Sequence, residues 1–280
     1  MEEKQIRLIG LDLDGTTLTT DKRLTPHTKA VLEECIRRGI VILPSTGRVL
    51  TGIPDYLRDI QGIRYVITSN GGAVVDLQED KVVYENGISW ERALELCDIF
   101  EKYDTFYDIY SMGHGWTEGR FYDHLDRYHI DKHALGIVLM TRSRIEDLRS
   151  FIREHKRPIE KFNMFFAREA DRLKAYRELQ EIPDIEVTYS LSNNLEINHS
   201  TCNKGDALLG LARILSIAQE ETMACGDGLN DISMIEKAGT GVAMGNAMEE
   251  VLAVADYVTR TNDEEGVAYA IEHFCRLSVE

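Results

Sequence analysis

Two aspartates two positions apart, Asp12 and Asp14, stand in Gly-Leu-Asp-Leu-Asp-Gly-Thr-Thr-Leu, residues 10–18. The apolar run just before them, residues 6–9, reads as a buried strand, and residues two apart on a strand project to the same side. Gly15 permits a turn that other residues avoid. Both carboxylates are then expected at the carboxyl end of a strand, the lip where open α/β sheets bind ligands. Paired acids there suit three tasks: holding a hard cation, attacking an electrophile and moving a proton. A plain polar turn accounts for the same residues, so the stretch is weighed against the rest of the chain.

Three further polar clusters fall at comparable places. Ile40-Val41-Ile42-Leu43 reads as a buried strand and ends in Pro44-Ser45-Thr46-Gly47-Arg48, where a hydroxyl and backbone N–H groups suit an oxyanion. Lys204-Gly205-Asp206 opens a helix with Ala207, Leu208, Leu211 and Leu215 on one face. Residues 222–225 read as a strand running into Gly226-Asp227-Gly228-Leu229-Asn230-Asp231. Parallel strands bring their carboxyl ends to one sheet edge. Several carboxylates, a lysine, a hydroxyl and an amide in one crevice suit Mg²⁺ and phosphate, oxygen ligands for the hard cation and lysine for anionic oxygens.

The elements that must carry these groups follow from the pattern. Thr25-Pro26 reads as a helix start and Gly39 as its end, with Val31, Leu32, Cys35 and Ile36 as the apolar stripe. Strand, helix and strand in about 40 residues make a βαβ unit and a parallel sheet. A helix over residues 50–60, a strand over 65–68 and a hairpin over 73–77 and 82–85 follow. From residue 86 the alternation changes: helices over 90–103, 144–155 and 170–181, and strands over 105–111, 116–122, 161–167 and 185–191. This predicts an α/β protein, a Rossmann-like core of residues 1–85 and 192–280 with an inserted α+β domain at 86–191.

Composition limits the partners. The chain has 280 residues, 43% apolar and 29% charged, as in globular domains. With 32 basic and 48 acidic residues the net charge is −16, which disfavours nucleic acid or an anionic membrane as partner. A small phosphorylated metabolite remains compatible, since a metal and a lysine invert the field locally. No apolar run approaches a bilayer span of ~20 residues, and Met1-Glu2-Glu3-Lys4 lacks the layout of a secretion signal. A cytoplasmic location is expected, with the five cysteines (Cys35, Cys97, Cys202, Cys225, Cys275) reduced and mostly buried.

Asp-Leu-Asp-Gly-Thr, Ser-Thr-Gly-Arg, the Lys-Gly pair and Gly-Asp-Gly-Leu-Asn-Asp resemble, in order, the four motifs of the haloacid dehalogenase superfamily. Asn70-Gly71-Gly72-Ala73 and the large insert are similar to its Cof-type branch with a type IIB cap. The resemblance implies a Mg²⁺-dependent phosphatase. It implies Asp12 as nucleophile, forming an aspartyl-phosphate, and Asp14 as acid and base with its backbone carbonyl on the metal. It further implies Asp227 as metal ligand with Asp12, and Asp231 orienting water or Lys204 from behind. Thr46, the Gly47 N–H, Lys204 and Asn230 would hold the phosphoryl oxygens. An acid at position 14 favours rapid breakdown of the phospho-intermediate. His199-Ser200-Thr201-Cys202-Asn203 departs from the short Pro/Gly turn more usual before the lysine, which leaves that loop's contact with substrate open.

A sugar phosphate is the first expectation for substrate, by analogy. A phosphomutase and a regulatory ligand-binding protein are the competing readings. In the insert, Tyr107, Tyr110, His114, Trp116, Tyr122 and Asp123 surround an expected hairpin, but alternating aromatics more simply build a half-buried sheet face. Phe162, Met164 and Phe166 read as strand core. His129 and His133, four apart on a possible helix, read as two exposed histidines rather than a zinc pair.

Overall fold

The computed structural model describes residues 5–54, 57, 60–128, 130 and 132–277. Its strands are β1 (Leu8–Asp12), β2 (Val41–Ser45), β3 (Tyr65–Thr68), β4 (Ala73–Asp76), β5 (Lys81–Glu85), β6 (Thr105–Ser111), β7 (His114–Glu118), β8 (Arg142–Ile145), β9 (Lys161–Phe166), β10 (Ile185–Thr188), β11 (Asn194–His199), β12 (Thr222–Gly226), β13 (Thr240–Ala243) and β14 (Tyr257–Val258). The chain divides into two compact units: residues 1–47, 53–84 and 203–280, and residues 48–52 and 85–202.

The first unit is a mixed α/β domain. Its sheet has the order β14-β13-β12-β1-β2-β3-β4-β5. β1 pairs in parallel with both β12 and β2, in register Gly10↔Ala224 and Gly10↔Leu43, and β12 pairs in parallel with β13. β3 pairs antiparallel with β4. All five residues of β1 are buried, as expected of a strand covered on both faces, which is why it reads as an unbroken apolar run. The helix Pro26–Arg37 starts on the Thr25 side chain, which accepts from the Thr28 N–H at 3.2 Å. Leu8, Leu43, Ile67, Leu208, Leu211, Ala224 and Met234 form one apolar layer between sheet and helices. A Cβ on Gly10 would fit only tightly, 3.0 Å from the Met234 sulfur and 3.1 Å from Leu208. The helices at the third and fourth clusters therefore pack closely on β1, two residues before Asp12.

The second unit is α+β. Its sheet runs β10-β11-β9-β6-β7-β8, antiparallel throughout except for β7 with β8. One face carries the core: Phe162, Met164 and Phe166 of β9 lie against Leu96, Phe100, Tyr107, Ile109 and Leu179. The other face joins the stacked rings of Phe106 and Phe165 to a buried polar group. Arg142 bonds Asp108 at 2.9 Å, Asn163 bonds Asp108 at 2.7 Å and Lys161 bonds Glu196 at 2.8 Å. The Tyr110 ring lies 4.6 Å from the Arg142 guanidinium and 4.7 Å from the Lys161 ammonium. Buried charges are stable only when paired in this way.

Several elements differ from the sequence reading; the strand expected over 116–122 ends at Glu118, and Gly119–Tyr122 is a short helix. β11 pairs with β9 and β10, so the second unit extends to Cys202 and the chain re-enters the first at Asn203 rather than 192. Residues 142–145 form strand β8, and the helix Leu148–His155 starts on Asp147, whose carboxylate accepts from the Ser150 N–H. The extent of the helix Lys132–Thr141 was not expected; the pattern pointed only to a possible helix around positions 129 and 133. Of residues 50–60, Leu50–Gly52 forms one 3-10 turn, and residues 55, 56, 58 and 59 lie outside the described residues. So does His129, together with the side chain of His133. Among the described residues no helix is long and apolar enough to cross a membrane.

Candidate active site

Asp12 is the last residue of β1 and is 7% exposed. Lys204 opens the helix Lys204–Ile214, started by the Asn203 side chain accepting from the Asp206 N–H at 2.8 Å. The Lys204 ammonium is fully buried and donates to Asp12 Oδ1 at 2.5 Å and to Asp231 Oδ1 at 2.6 Å. Asp231 uses its other oxygen, Oδ2, to accept from the N–H groups of Asp227 and Gly228, each at 3.0 Å. Its carboxylate thus fixes the loop after β12 and the lysine together.

Asp227 follows β12. Its Oδ1 accepts from the Thr16 hydroxyl at 2.7 Å. Its Oδ2 lies where a Cβ on Gly15 would be, 2.4 Å away, and Gly15 has φ +92°. Glycine is required at 15 both for that backbone and for the approach of Asp227. The neighbouring Thr17 hydroxyl donates to the Asp12 carbonyl at 2.6 Å.

Carboxylate oxygens of Asp12, Asp227 and Asp231 lie within 4.8 Å of one another. Three carboxylates face one ammonium, which leaves two negative charges uncompensated. Burial pushes the Asp12 carboxyl up to about 7; Lys204 opposes the rise, and Asp231 and Asp227 add to it. Burial likewise raises Asp227, with Asp231 adding and Thr16, Lys204 and Lys22 opposing. Burial alone would lower the Lys204 ammonium, but Asp12 and Asp231 outweigh it and hold it charged. An all-oxygen donor set with a surplus of two negative charges fits a hard divalent cation such as Mg²⁺.

The other sequence-derived candidates divide. Asp14 is outside the group of three; its Oδ1 lies 2.9 Å from the Lys22 ammonium. Thr46 is buried, its N–H donating to the Ile67 carbonyl and its carbonyl accepting from the Asn70 N–H, both at 3.0 Å. A Cβ on Gly47 would meet the Asn70 side-chain amide at 3.0 Å. Asn230 is exposed and donates from Nδ2 to Asn70 Oδ1 at 3.1 Å. Thr46, Gly47 and Asn230 are therefore grouped around Asn70, while Lys204 stands with Asp12. The sequence reading gave no role to Thr16, Lys22 or Asn70. For Thr16 the available signal was a hydroxyl next to Gly15 in the first motif. Cys202 and Cys225 are buried thiols, and burial pushes the Cys202 thiol up to about 12, a packing role rather than a reactive one.

The sequence model of the haloacid dehalogenase-like hydrolase family matches residues 9–271. Phosphatase YwpJ of Bacillus subtilis is 32% identical over 96% of this chain and 99% of its own. The 5-amino-6-(5-phospho-D-ribitylamino)uracil phosphatase YcsE of Bacillus subtilis is 30% identical, covering 98% and 97%. A haloacid dehalogenase-like hydrolase from Bacteroides thetaiotaomicron superposes with a TM-score of 0.78 at 28% identity, covering 96% and 99%. A sugar phosphatase of subclass IIB superposes with a TM-score of 0.71 at 26% identity, covering 97% and 100%. With its parallel-sheet core and its four motifs, the chain belongs to the haloacid dehalogenase-like hydrolases and is an enzyme of the phosphatase type.

Proposed function

We propose that the protein is a Mg²⁺-dependent phosphatase of small phosphomonoesters, with Asp12 as nucleophile. The observation that carries this reading is the Lys204 ammonium held between Asp12 and Asp231, with Asp227 in the same cluster. Asp12, Asp227 and the Asp14 backbone carbonyl would hold the ion, with Asp231 behind them. When bound, it neutralises charge on phosphate and carboxylate so that the two anions approach.

Lys204 binds Asp12 Oδ1 and favours its ionised form against the effect of burial, leaving Oδ2 outside that ion pair. Oδ2 attacks phosphorus as the bond from phosphorus to the ester oxygen breaks, and Asp14 gives its proton to that oxygen. The phosphoryl group then resides on Asp12. Asp14, now ionised, takes a proton from water as the water oxygen attacks phosphorus. The Asp12–phosphorus bond breaks and phosphate leaves. Thr46, the Gly47 N–H, Lys204 and Asn230 hold the phosphoryl oxygens, since phosphoryl transfer is chiefly positioning and charge neutralisation.

Sugar phosphates are the substrate class favoured by the likeness to the subclass IIB sugar phosphatase. Residues 85–202 then serve as the cap that selects the leaving group, in a cytoplasmic enzyme. The test is phosphate release from a panel of sugar, nucleotide and cofactor monophosphates with and without Mg²⁺. Release from sugar phosphates by wild type, abolished in Asp12→Asn, is expected; no release from any ester would overturn the reading.

A further inference from the structure

Ser69, Asn70 and Gly71 follow β3 with φ of 54°, 58° and 102°. Two consecutive non-glycine residues in the left-handed region are costly and persist only where the surroundings enforce them, most often at functional sites. This turn touches three separate segments of the first unit. The Asn70 N–H donates to the Thr46 carbonyl at 3.0 Å. The Asn70 side-chain amide lies over Gly47, so close that a Cβ there would be 3.0 Å from Oδ1 and 3.2 Å from Nδ2. Asn70 Oδ1 accepts from Asn230 Nδ2 at 3.1 Å, across 160 residues of sequence. A Cβ on Gly71 would lie 2.2 Å from the Asn203 carbonyl oxygen and 2.9 Å from the Lys204 nitrogen.

We propose that Asn70 is a positioning residue for phosphate binding and acts through Asn230. An amide side chain is free to turn about its last bond, and its hydrogen bonds decide which end faces a ligand. Asn230 Oδ1 lies 2.8 Å from where a Cβ on Gly228 would be, so nothing larger than glycine at 228 leaves that side open. With Oδ1 on the Gly228 side and one Nδ2 hydrogen taken by Asn70, the second Nδ2 hydrogen is the group Asn230 can offer to a phosphoryl oxygen. The left-handed backbone places the Asn70 side chain between Gly47 and Asn230, which fixes the spacing of the two segments. The inference rests on the phosphatase reading for the identity of the ligand.

The test is a double-mutant cycle on Asn70→Gly and Asn230→Ala, read as the affinity for inorganic phosphate by calorimetry in the presence of Mg²⁺. Glycine accepts the backbone of residue 70, so Asn70→Gly removes the side chain and keeps the turn. Each single variant is expected to weaken phosphate about five- to tenfold, the worth of one oriented hydrogen bond. The double variant is expected to be no weaker than Asn230→Ala by more than about twofold, because coupled residues are not additive. Affinity of Asn70→Gly for Mg²⁺ alone should remain as in wild type. Phosphate binding unchanged in Asn70→Gly, or losses that multiply in the double variant, would overturn the inference. Calorimetry decides it separately from turnover: a wild type that binds phosphate but releases none from any ester refutes the phosphatase reading alone.

Discussion

Lys204 and Asp12 are 192 residues apart in the chain, yet the lysine ammonium lies 2.5 Å from the aspartate oxygen, with both groups buried. An ammonium without exposure is tolerable only because two carboxylates receive it. Lys204→Met removes the charge and leaves Asp12 and Asp231 buried without it. Breaking such a group costs about 3 to 5 kcal/mol, so thermal melting should fall by several degrees, and ester hydrolysis should drop by about a thousandfold or more. Lys204→Arg should not rescue activity, since the larger planar head has no vacant space around a side chain with no exposure. Melting curves and steady-state rates of the two variants check this.

Gly15 faces Asp227 at a distance that excludes a Cβ. Gly15→Ala adds one carbon and forces a left-handed residue, a strain of about 1 to 2 kcal/mol. Asp227 must move. The concentration of Mg²⁺ giving half-maximal activity should rise by roughly tenfold, the equivalent of about 1.4 kcal/mol, while the fold persists. A Mg²⁺ titration of activity beside a melting curve separates the two effects.

Treatment with a chelator should abolish phosphate release, and added Mg²⁺ should restore it. The same titration by calorimetry should lose its signal in Asp227→Asn. Undiminished turnover after exhaustive chelation would contradict the ion's role.

The Lys161–Glu196 pair in the second unit makes stability depend on pH. Lys161 holds the Glu196 carboxyl down at about 2, against the opposing effect of burial and with help from Ser190 and Asn194. A depressed acid contributes its stability above its unfolded value of ~4.5 and loses it as pH falls through the folded one. The loss should spread between about pH 4.5 and pH 2 and amount to on the order of 3 kcal/mol. Glu196→Gln should flatten that part of the stability curve, read by urea melts across the acid range.

The candidate site was legible where sequence and backbone geometry state the same thing. Asp12 ends an apolar run, Asp227 follows another, and Lys204 opens a helix with an apolar face. What escaped was what depends on spatial neighbours. Asn70 reads as a turn residue, and only the approach of Gly47 and Asn230 gives it a role. β11 alternates Leu195 and Ile197 with Glu196 and Asn198, a pattern that suits either sheet, so pairing rather than periodicity decides the boundary at 203. The extent of the helix Lys132–Thr141 escaped because Leu135, Ile137, Val138, Leu139 and Met140 follow no helical stripe; Ile137, Leu139 and Met140 are exposed while Val138 is buried. Burial of Arg142, Asp108 and Lys161 could not be foreseen from residue type, since such groups are seldom buried unless paired.

Rapid quench of the enzyme with a radiolabelled phosphate ester, followed by peptide mapping, tests Asp12 as nucleophile most directly. With an aryl phosphate, whose leaving group needs no acid, Asp14→Asn keeps formation and slows breakdown, so label should accumulate on the peptide containing Asp12, and Asp12→Asn should accumulate none. Label on another residue, or full turnover by Asp12→Asn with no labelled peptide, would contradict the account.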